Sequence, residues 1–178
     1  NEPHYWKDKK GKKIPYATPP GPSELIGTPV LYKGKTYVAI GQDPEHGDGV
    51  GRLSCIDAAT GKVVWKYTDV GRTISTVSVA DDLVYVAEYA GLIHCLDANT
   101  GKLYWKHDSF SRIWGSTLVV GGKVLLGNED GDLLILDHGK GKPTVKTMDM
   151  GAPVYSSPVV ANGTLYVATQ THLYAIGK

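Results

Sequence analysis

The sequence predicts an all-β fold made of repeated four-stranded sheets, and three observations lead to this prediction. Short apolar runs rich in β-branched and aromatic residues alternate with turn signals at a spacing of about ten residues. Windows of about 11 residues or more carry no helical period. A long segment of the chain recurs after 105 − 65 = 40 residues, counted between two tryptophans. Four strands in about 40 residues are typical of a β-propeller blade, so we expect a propeller.

The repeat is clearest in two gap-free segments, residues 53–66 and 93–106, which carry Asp, Thr-Gly and Trp at matching positions. A further step of 40 residues reaches Asp137 and Gly141 but places Val145 where the tryptophan is expected. One more step reaches Ala175, close to the last residue of the sequence. The spacing therefore predicts four blades, of which the third lacks the tryptophan and the fourth lacks its outer strand.

We place the blades at residues 24–67, 72–107, 112–148 and 152–178, after an N-terminal arm formed by residues 1–23. Four blades with one strand missing would leave two blade faces and an edge strand uncovered. We therefore expect half of an eight-bladed ring, completed by another copy of the chain or by the missing half of a longer propeller chain. A closed ring of four blades is the alternative.

The Lys- and Pro-rich arm contains His4-Tyr5-Trp6-Lys7, which resembles Leu103-Tyr104-Trp105-Lys106 in the outer strand of the second blade. One hypothesis is that the arm supplies the missing outer strand of a last blade, either its own or that of a partner. The simpler interpretation is a flexible arm, or a loop left over from a preceding blade.

Composition and charge exclude several classes of function. Lys and Arg number 19 and Asp and Glu number 18, so the chain has no general positive charge for binding nucleic acid. No apolar run approaches the roughly 18 residues of a membrane-spanning helix. The sequence opens at Asn1 without a signal peptide, and we expect a mature product or a fragment. Cys55 and Cys95 take the same place in successive blades and are expected to be free and buried.

The repeated motif has a structural interpretation. The Thr-Gly pairs are expected to form tight turns in which Gly takes a positive φ angle. The Asp side chains would accept hydrogen bonds from the turn backbone, and the Trp side chains would pack between neighbouring blades. The motif residues are Asp57, Thr60, Gly61, Trp65, Asp97, Thr100, Gly101, Trp105, Asp137 and Gly141.

This motif resembles the tryptophan-docking motif A-x-D-x-x-T-G-x-x-x-W of PQQ-like, or quinoprotein-type, β-propellers. The resemblance covers about residues 24–178, although Cys55 and Cys95 replace the leading Ala. It implies one of two functions: a dehydrogenase that binds PQQ and Ca²⁺ on the propeller axis, or a non-catalytic propeller of the cell envelope. The alcohol-oxidising dehydrogenases place adjacent cysteines over the quinone, and this chain has none.

We therefore expect a non-catalytic scaffold that binds proteins or a ligand in the bacterial envelope, without a cofactor. The resemblance implies a periplasmic or extracellular location and envelope proteins as partners. The alternatives are a fragment of a PQQ- and Ca²⁺-dependent dehydrogenase and a sensory propeller domain of a larger protein. The sequence contains no Ser-His-Asp arrangement, phosphate-binding glycine loop or metal-spaced His/Cys cluster, so it predicts neither catalytic residues nor a metal site.

The first blade carries an eight-residue insertion within residues 41–49. Oxygen ligands and one His could suit a divalent cation or a partner, although a solvated polar loop is the simpler interpretation. The candidate residues are Gln42, Asp43, Glu45, His46 and Asp48. The acidic segment 128–132 lies in the corresponding turn of the third blade, where turn chemistry explains it.

A second candidate site lies at the inner strands, which line the axis of a propeller. Arg72, Arg112, Trp114 and Tyr155 would form a polar and aromatic ligand rim, or else the mouth of a capped, water-filled channel. Small hydroxyl residues occupy one position of each inner strand, where they could fit a crowded axis or line a ligand channel. They are Thr28, Thr76, Ser116 and Ser157.

Overall fold

The structure is a computed structural model that describes residues 3, 6–15, 23–42 and 49–177, with the side chain of Gln42 excluded. These residues form sixteen strands in four sheets and contain no α-helix. The first sheet contains β1 (Ser23–Glu24), β2 (Val30–Tyr32), β3 (Lys35–Gln42), β4 (Arg52–Asp57) and β5 (Val63–Tyr67). The second contains β6 (Ser78–Ala80), β7 (Leu83–Ala87), β8 (Leu92–Asp97) and β9 (Leu103–Asp108).

The third and fourth sheets continue the same pattern. The third contains β10 (Leu118–Val120), β11 (Lys123–Gly127), β12 (Asp132–Asp137) and β13 (Val145–Asp149). The fourth contains β14 (Val159–Ala161), β15 (Thr164–Ala168) and β16 (Leu173–Ile176), and no further strand joins it among the described residues. The predicted all-β fold with an incomplete last sheet is confirmed.

All strand pairs in the four sheets are antiparallel, and their register repeats. In the first sheet β3 pairs with β4 through Tyr37–Cys55, and in the second β7 pairs with β8 through Tyr85–Cys95. The third and fourth sheets use Leu125–Ile135 and Tyr166–Ala175 at the same place. Each sheet therefore presents equivalent side chains to its neighbours.

The hydrophobic core consists of layers between consecutive sheets. Alternate residues of a strand point to opposite faces of a sheet. In the second sheet, Val84 and Leu96 pack against the first sheet, whereas Tyr85 and Cys95 pack against the third. Both cysteines are free and buried, as expected.

The motif turns are held by local hydrogen bonds. The Asp57 carboxylate accepts the backbone N–H of Thr60 at 2.7 Å, and Gly61 has a φ angle of 70°. In the second sheet, Asp97 accepts the N–H of Thr100 at 2.9 Å, and Gly101 has a φ angle of 72°. Left-handed φ angles favour glycine, which explains the Thr-Gly pair.

The two motif tryptophans each form a hydrogen bond to the next sheet. Trp65 donates its indole N–H to the carbonyl of Ala98 at 3.0 Å, and Trp105 donates to Gly139 at 2.9 Å. Both indoles are buried. A Cβ atom on Gly101 would lie 2.7 Å from Trp65, so glycine also allows the indole to approach the turn.

The expectation that Val145 replaces the tryptophan in the third sheet is wrong. Trp65 and Trp105 pair with Cys55 and Cys95 through strands that contain a β-bulge. In the third sheet, Lys146 pairs with the equivalent Ile135, and the pairing of β12 with β13 is regular. Lys146 therefore occupies the tryptophan position, because the bulge residue is absent.

The turn of the third sheet also differs from the motif. Gly141 lacks the positive φ angle of Gly61 and Gly101, whereas Gly139 has a φ angle of 153°. Asp137 keeps its place and lies within hydrogen-bonding distance of the backbone N–H of Thr144, at 3.3 Å. Gly141 is therefore not the structural equivalent of the motif glycines.

Two further expectations concern a membrane span and the insertion loop. Among residues 3, 6–15, 23–42 and 49–177, no helix has the length and hydrophobicity of a membrane span. The insertion residues Asp43, Glu45, His46 and Asp48 lie outside the described residues, so the cation or partner loop stays a prediction.

Candidate functional site

The candidate ligand rim lies on one edge of the sheets, which we call the loop face. The loop face carries the turns that follow β7, β11 and β15 and the connections that enter the next sheet. Backbone hydrogen bonds tie these segments together: Tyr89 N–H donates to Arg72 at 2.8 Å and Glu129 N–H donates to Arg112 at 2.9 Å. The repeat therefore fixes the positions of both arginines.

Tyr89 joins the predicted rim residues into one cluster. The Arg72 guanidinium lies 4.0 Å from the centre of the Tyr89 ring, and the Arg112 guanidinium lies 5.4 Å from it. Trp114 meets the same ring edge-on at 5.1 Å and meets Tyr155 at 5.6 Å. We name these five residues the aromatic–arginine cluster. Arginine above an aromatic face is a favourable cation–π arrangement.

The members of the cluster differ in exposure. Arg72 and Tyr89 are 2% and 6% exposed, so Arg72 packs inside the sheet connections and does not face solvent. Arg112 is exposed, Trp114 is half-buried and Tyr155 is 37% exposed. The part of the predicted rim that a partner could reach therefore consists of Arg112, Trp114 and Tyr155.

Phe110 lies two residues before Arg112 in the same connection and was missed by the sequence interpretation. Its side chain is 88% exposed, and its φ angle of 56° is unusual for a bulky residue. The Asp108 carboxylate accepts the Phe110 N–H at 2.7 Å, and the Ser109 hydroxyl lies 2.9 Å from the Gly91 carbonyl. Local hydrogen bonds thus fix the backbone from which this exposed aromatic side chain leaves the loop face.

The acidic turn 128–132 is held by its own hydrogen bonds. The buried Asn128 side chain accepts the Asp132 N–H at 2.8 Å, and Asp130 N–H donates to the Ser111 hydroxyl at 3.1 Å. Gly131 takes a φ angle of 95°. These contacts match the interpretation of this segment as turn chemistry. No group of three or more His, Cys, Asp or Glu residues suited to a metal occurs in the part of the chain that the structure describes.

The small hydroxyl residues of the inner strands connect one sheet to the next. The N–H of Thr28 donates to the Thr76 hydroxyl at 2.9 Å, and the N–H of Thr76 donates to Ser116 at 2.9 Å. The N–H of Ser116 donates to the Ser157 hydroxyl at 2.7 Å. We call this series the hydroxyl ladder. Its hydroxyls accept backbone hydrogen bonds, which explains their repetition without a ligand.

A buried polar network between the first two sheets was also missed by the sequence interpretation. The Tyr67 hydroxyl lies 3.0 Å from His94 Nδ1, and His94 Nε2 lies 2.7 Å from a carboxylate oxygen of Glu88. Burial raises the pKa of Glu88, but hydrogen bonds from His94 and the backbone of Gly71 outweigh this, so the pKa lies below its usual value. Burial also raises the pKa of Tyr67, which keeps its hydroxyl neutral.

A family model described as outer membrane protein assembly factor BamB matches residues 49–146, more than half of the chain. The chain belongs to this family of PQQ-like repeat proteins. The matched range includes both complete motifs and all but Tyr155 of the aromatic–arginine cluster. No curated protein sequence matches the chain.

Solved structures show the same propeller fold. BamB from Moraxella catarrhalis is 23% identical with a TM-score of 0.70, and the match covers 85% of this chain and 46% of that chain. The quinohemoprotein alcohol dehydrogenase from Comamonas testosteroni is 22% identical with a TM-score of 0.65, covering 82% of this chain and 29% of that chain. The computationally designed protein Ika4 is 15% identical with a TM-score of 0.67, covering 86% of this chain and 92% of that chain.

This PQQ-like chain thus spans less than half the length of the BamB and dehydrogenase structures that it resembles. The similarity to both a BamB protein and a dehydrogenase establishes the fold and leaves the activity to be argued from the site.

Proposed function

We propose that the chain is a non-catalytic PQQ-like propeller segment that binds other proteins in the bacterial envelope, in the periplasm or outside the cell. Membership of the BamB-described family supports an envelope role. The partners would be envelope proteins that dock on the loop face. This function requires neither PQQ nor Ca²⁺.

The observation that carries this proposal is the exposure of Phe110, Arg112 and Tyr155 on the loop face, where hydrogen bonds fix the backbone of the connection that carries Phe110 and Arg112. Tyr and Arg are enriched among the residues that dominate protein interfaces, and aromatic residues in general are enriched there. A side chain that is already held in position loses less conformational entropy on binding. The loop face therefore combines suitable residue types with pre-organisation.

Site-directed photo-cross-linking in the envelope fraction of the producing bacterium tests this proposal. A photoreactive residue at position 110 or 112 should give discrete adducts, because these side chains would lie in the interface. The same residue at exposed Lys62, on the opposite edge of the sheets, serves as the control. Adducts that are equal at positions 110 and 62, or absent from both, would contradict the use of the loop face.

A fragment of a PQQ- and Ca²⁺-dependent dehydrogenase is the alternative, and the resemblance to a quinohemoprotein alcohol dehydrogenase favours it. Within the aromatic–arginine cluster, the described residues do not fit the Ca²⁺ of this cofactor pair. The charged groups of the aromatic–arginine cluster are two arginines, and Ca²⁺ requires oxygen ligands. Retention of quinone absorbance after PQQ and Ca²⁺ are added and the protein is desalted would favour the enzyme. A sensory propeller domain of a larger protein is a further alternative, which the flanking sequence would decide.

The two open ends of the sheet series also need a covering partner. A second copy of the chain or the remaining half of a longer propeller chain would supply it.

A further inference from the structure

The acidic turn after β11 contains two carboxylates that the turn itself does not use. The side chain of Asn128 accepts the N–H of Asp132, and Gly131 supplies a positive φ angle. Glu129 and Asp130 contribute only their backbone N–H groups, and in the described part of the chain neither carboxylate forms a hydrogen bond or an ion pair. Asp130 is exposed and Glu129 is half-buried. Turn chemistry therefore explains the shape of this segment but not its charge.

The equivalent turn of the second sheet contains a neutral ring between two cations. Tyr89 N–H donates to the carbonyl of Arg72, and Glu129 N–H donates to the carbonyl of Arg112. Tyr89 and Glu129 therefore hold the same place in successive turns. The Arg72 and Arg112 guanidiniums lie 4.0 Å and 5.4 Å from the centre of the Tyr89 ring. At Tyr89, one arginine thus comes from the connection before the sheet and one from the connection after it.

At Glu129, the connection after the sheet supplies no cation. The N–H of Gln170 in the next turn donates to the carbonyl of Pro153 at 3.0 Å, so Pro153 takes the position of Arg72 and Arg112 one sheet further on. The Arg112 guanidinium packs on the Tyr89 ring and forms no ion pair with Glu129 in the described structure. An unpaired carboxylate therefore lies at the place where the second sheet has a neutral ring with two cations.

The exposed Phe110 side chain leaves the loop face beside these carboxylates. Asp130 N–H donates to the Ser111 hydroxyl at 3.1 Å and Glu129 N–H donates to the Arg112 carbonyl at 2.9 Å, so both acidic residues adjoin the connection that carries Phe110. Phe110 is 88% exposed, and its φ angle of 56° is unfavourable for a bulky residue. Residues in unfavourable backbone conformations cluster at functional sites. We call Phe110, Glu129 and Asp130 the acidic–aromatic strip.

Negative charge predominates around the acidic–aromatic strip. Asp108 and Asp149 end the outer strands of the second and third sheets, and both are exposed. Lys106, in the same strand as Asp108, is already paired with Asp69 at 3.0 Å. Complementary charge steers association and disfavours partners of like charge. The strip therefore disfavours nucleic acid and anionic lipid and favours a positively charged partner.

We propose that the envelope protein that docks on the loop face presents a basic segment to the acidic–aromatic strip, with Lys or Arg next to an apolar residue. The basic side chain pairs with Glu129 and Asp130, and the apolar side chain packs on Phe110. The partner's cation thus supplies at Glu129 what Arg112 supplies at Tyr89. The inference rests on the proposed docking function and adds the chemistry of the partner.

Charge removal tests this inference in the photo-cross-linking experiment on the full chain. Benzoylphenylalanine at position 110 keeps an aromatic ring there. Glu129→Gln combined with Asp130→Asn should lower the adduct yield about fivefold, because two surface ion pairs with the partner are lost. Raising the salt concentration should lower the yield for the unmodified turn more than for this double variant, because salt screens exposed charges.

Two matched variants separate charge on the strip from other effects. Glu129→Asp combined with Asp130→Glu keeps both charges and should keep the adduct yield within about twofold. Asp81→Asn combined with Asp82→Asn removes two adjacent carboxylates from the turn between β6 and β7, on the opposite edge of the sheets. This second variant changes the net charge by the same amount and should leave the yield unchanged.

A peptide probe tests the same contact on the purified chain. The capped peptide Gly-Arg-Leu-Arg-Gly and its counterpart Gly-Glu-Leu-Glu-Gly are titrated into the isotopically labelled chain and followed by NMR. The basic peptide should shift the amide signals of residues 108–112 and 129–130 until they saturate. The variant with Glu129→Gln and Asp130→Asn should bind it about fivefold more weakly. The acidic peptide should leave these signals unchanged.

The outcomes distinguish this inference from the docking function on which it rests. Adducts at position 110 whose yield is the same with and without the two carboxylates would overturn the basic partner and leave docking on the loop face in place. Equal signal shifts from the basic and acidic peptides would overturn it as well. Absence of adducts at position 110 with the turn unmodified would contradict the docking function, and this inference with it.

Discussion

Glu88, His94 and Tyr67 are the residues that join the first two sheets through buried polar groups. Glu88 is 5% exposed and His94 is fully buried, so each depends on its partner for hydrogen bonding. A buried group left without a partner costs more free energy than the hydrogen bond itself contributes. This network therefore stabilises one arrangement of the two sheets.

Replacing Glu88 by Gln should lower the free energy of unfolding at pH 7 by about 1–3 kcal/mol. The pKa of Glu88 in the folded protein lies below the unfolded value of 4.5, so its contribution is fully present above that value. The contribution is lost as the pH falls through the folded pKa. The difference between the two proteins should therefore be largest above about pH 5 and shrink in acid, as measured by urea unfolding at each pH.

Asp69→Asn is the matched control for this experiment. Asp69 pairs with Lys106 at 3.0 Å, but its side chain is 77% exposed, so its loss should cost about 1 kcal/mol or less. Other carboxylates with a lowered pKa titrate in both proteins, so their contributions to the free energy of unfolding cancel when the two proteins are compared. A difference between Glu88→Gln and the unmodified chain that does not change between pH 7 and pH 3 would contradict an ionised Glu88 in the network.

At the scale of the strand and turn, the motif loop serves two purposes. Its Asp and Thr side chains form hydrogen bonds within the turn. In the second sheet, Gly101 also leaves room for the indole of Trp65 from the preceding sheet. The third sheet changes both features: a longer turn without the bulge places Lys146 at the tryptophan position. The last internal interface accordingly relies on other residues, including Leu133, Met150, Val154 and Val167.

Gly101→Ala should destabilise the protein more than Gly61→Ala. Both glycines have φ angles near 70°, at 72° and 70°, so each alanine incurs a left-handed penalty of about 1–2 kcal/mol. Only at Gly101 does the added Cβ approach Trp65, whereas nothing lies within 4 Å at Gly61. The clash should add about 1–3 kcal/mol in chemical unfolding. Equal losses for the two variants would show that the indole does not pack against the turn.

At the scale of the whole molecule, the described sheets form an open series whose two ends both expose apolar side chains. The first sheet exposes Leu31 at 69%, and the fourth exposes Leu173 at 69%. The arm partly covers the first sheet through Trp6, and the hairpin that follows Trp6 is held by bonds from the backbone of Lys10 and Lys12 to the carboxylate of Asp8.

Deletion of residues 1–9 should lower the melting temperature by several degrees, because it removes Trp6 from an apolar surface. Trp6→Ala should reproduce most of this effect. Lys10→Ala, in the exposed hairpin, should not change the melting temperature measured by calorimetry. If the deletion leaves the melting temperature unchanged, the arm does not contribute to closing the first sheet.

Part of the candidate site could be predicted from the sequence. The repeat located Arg112, Trp114 and Tyr155 because they occupy matching positions near the start of successive units. Tyr89 could have been predicted as well, because it lies in the repeated turn after β7, whose backbone bonds to the segment that carries Arg72. Phe110 could not, because its exposure depends on a left-handed backbone that is fixed by its N–H donating to Asp108 and by the Ser109 hydroxyl donating to Gly91.

The sequence by itself determined the number of sheets, the strand order of the repeated units and the chemistry of the first two motif turns, but not the added strand β1 of the first sheet. These features depend on contacts between residues close in the chain, such as Asp57 with Thr60, and therefore leave a periodic pattern. Only the tertiary structure decided that Arg72 is buried against Tyr89, that Lys146 takes the tryptophan position, and that Trp6 covers the first sheet. Those outcomes depend on packing between segments distant in the chain and on a bulge in the pairing register, which a linear repeat does not record.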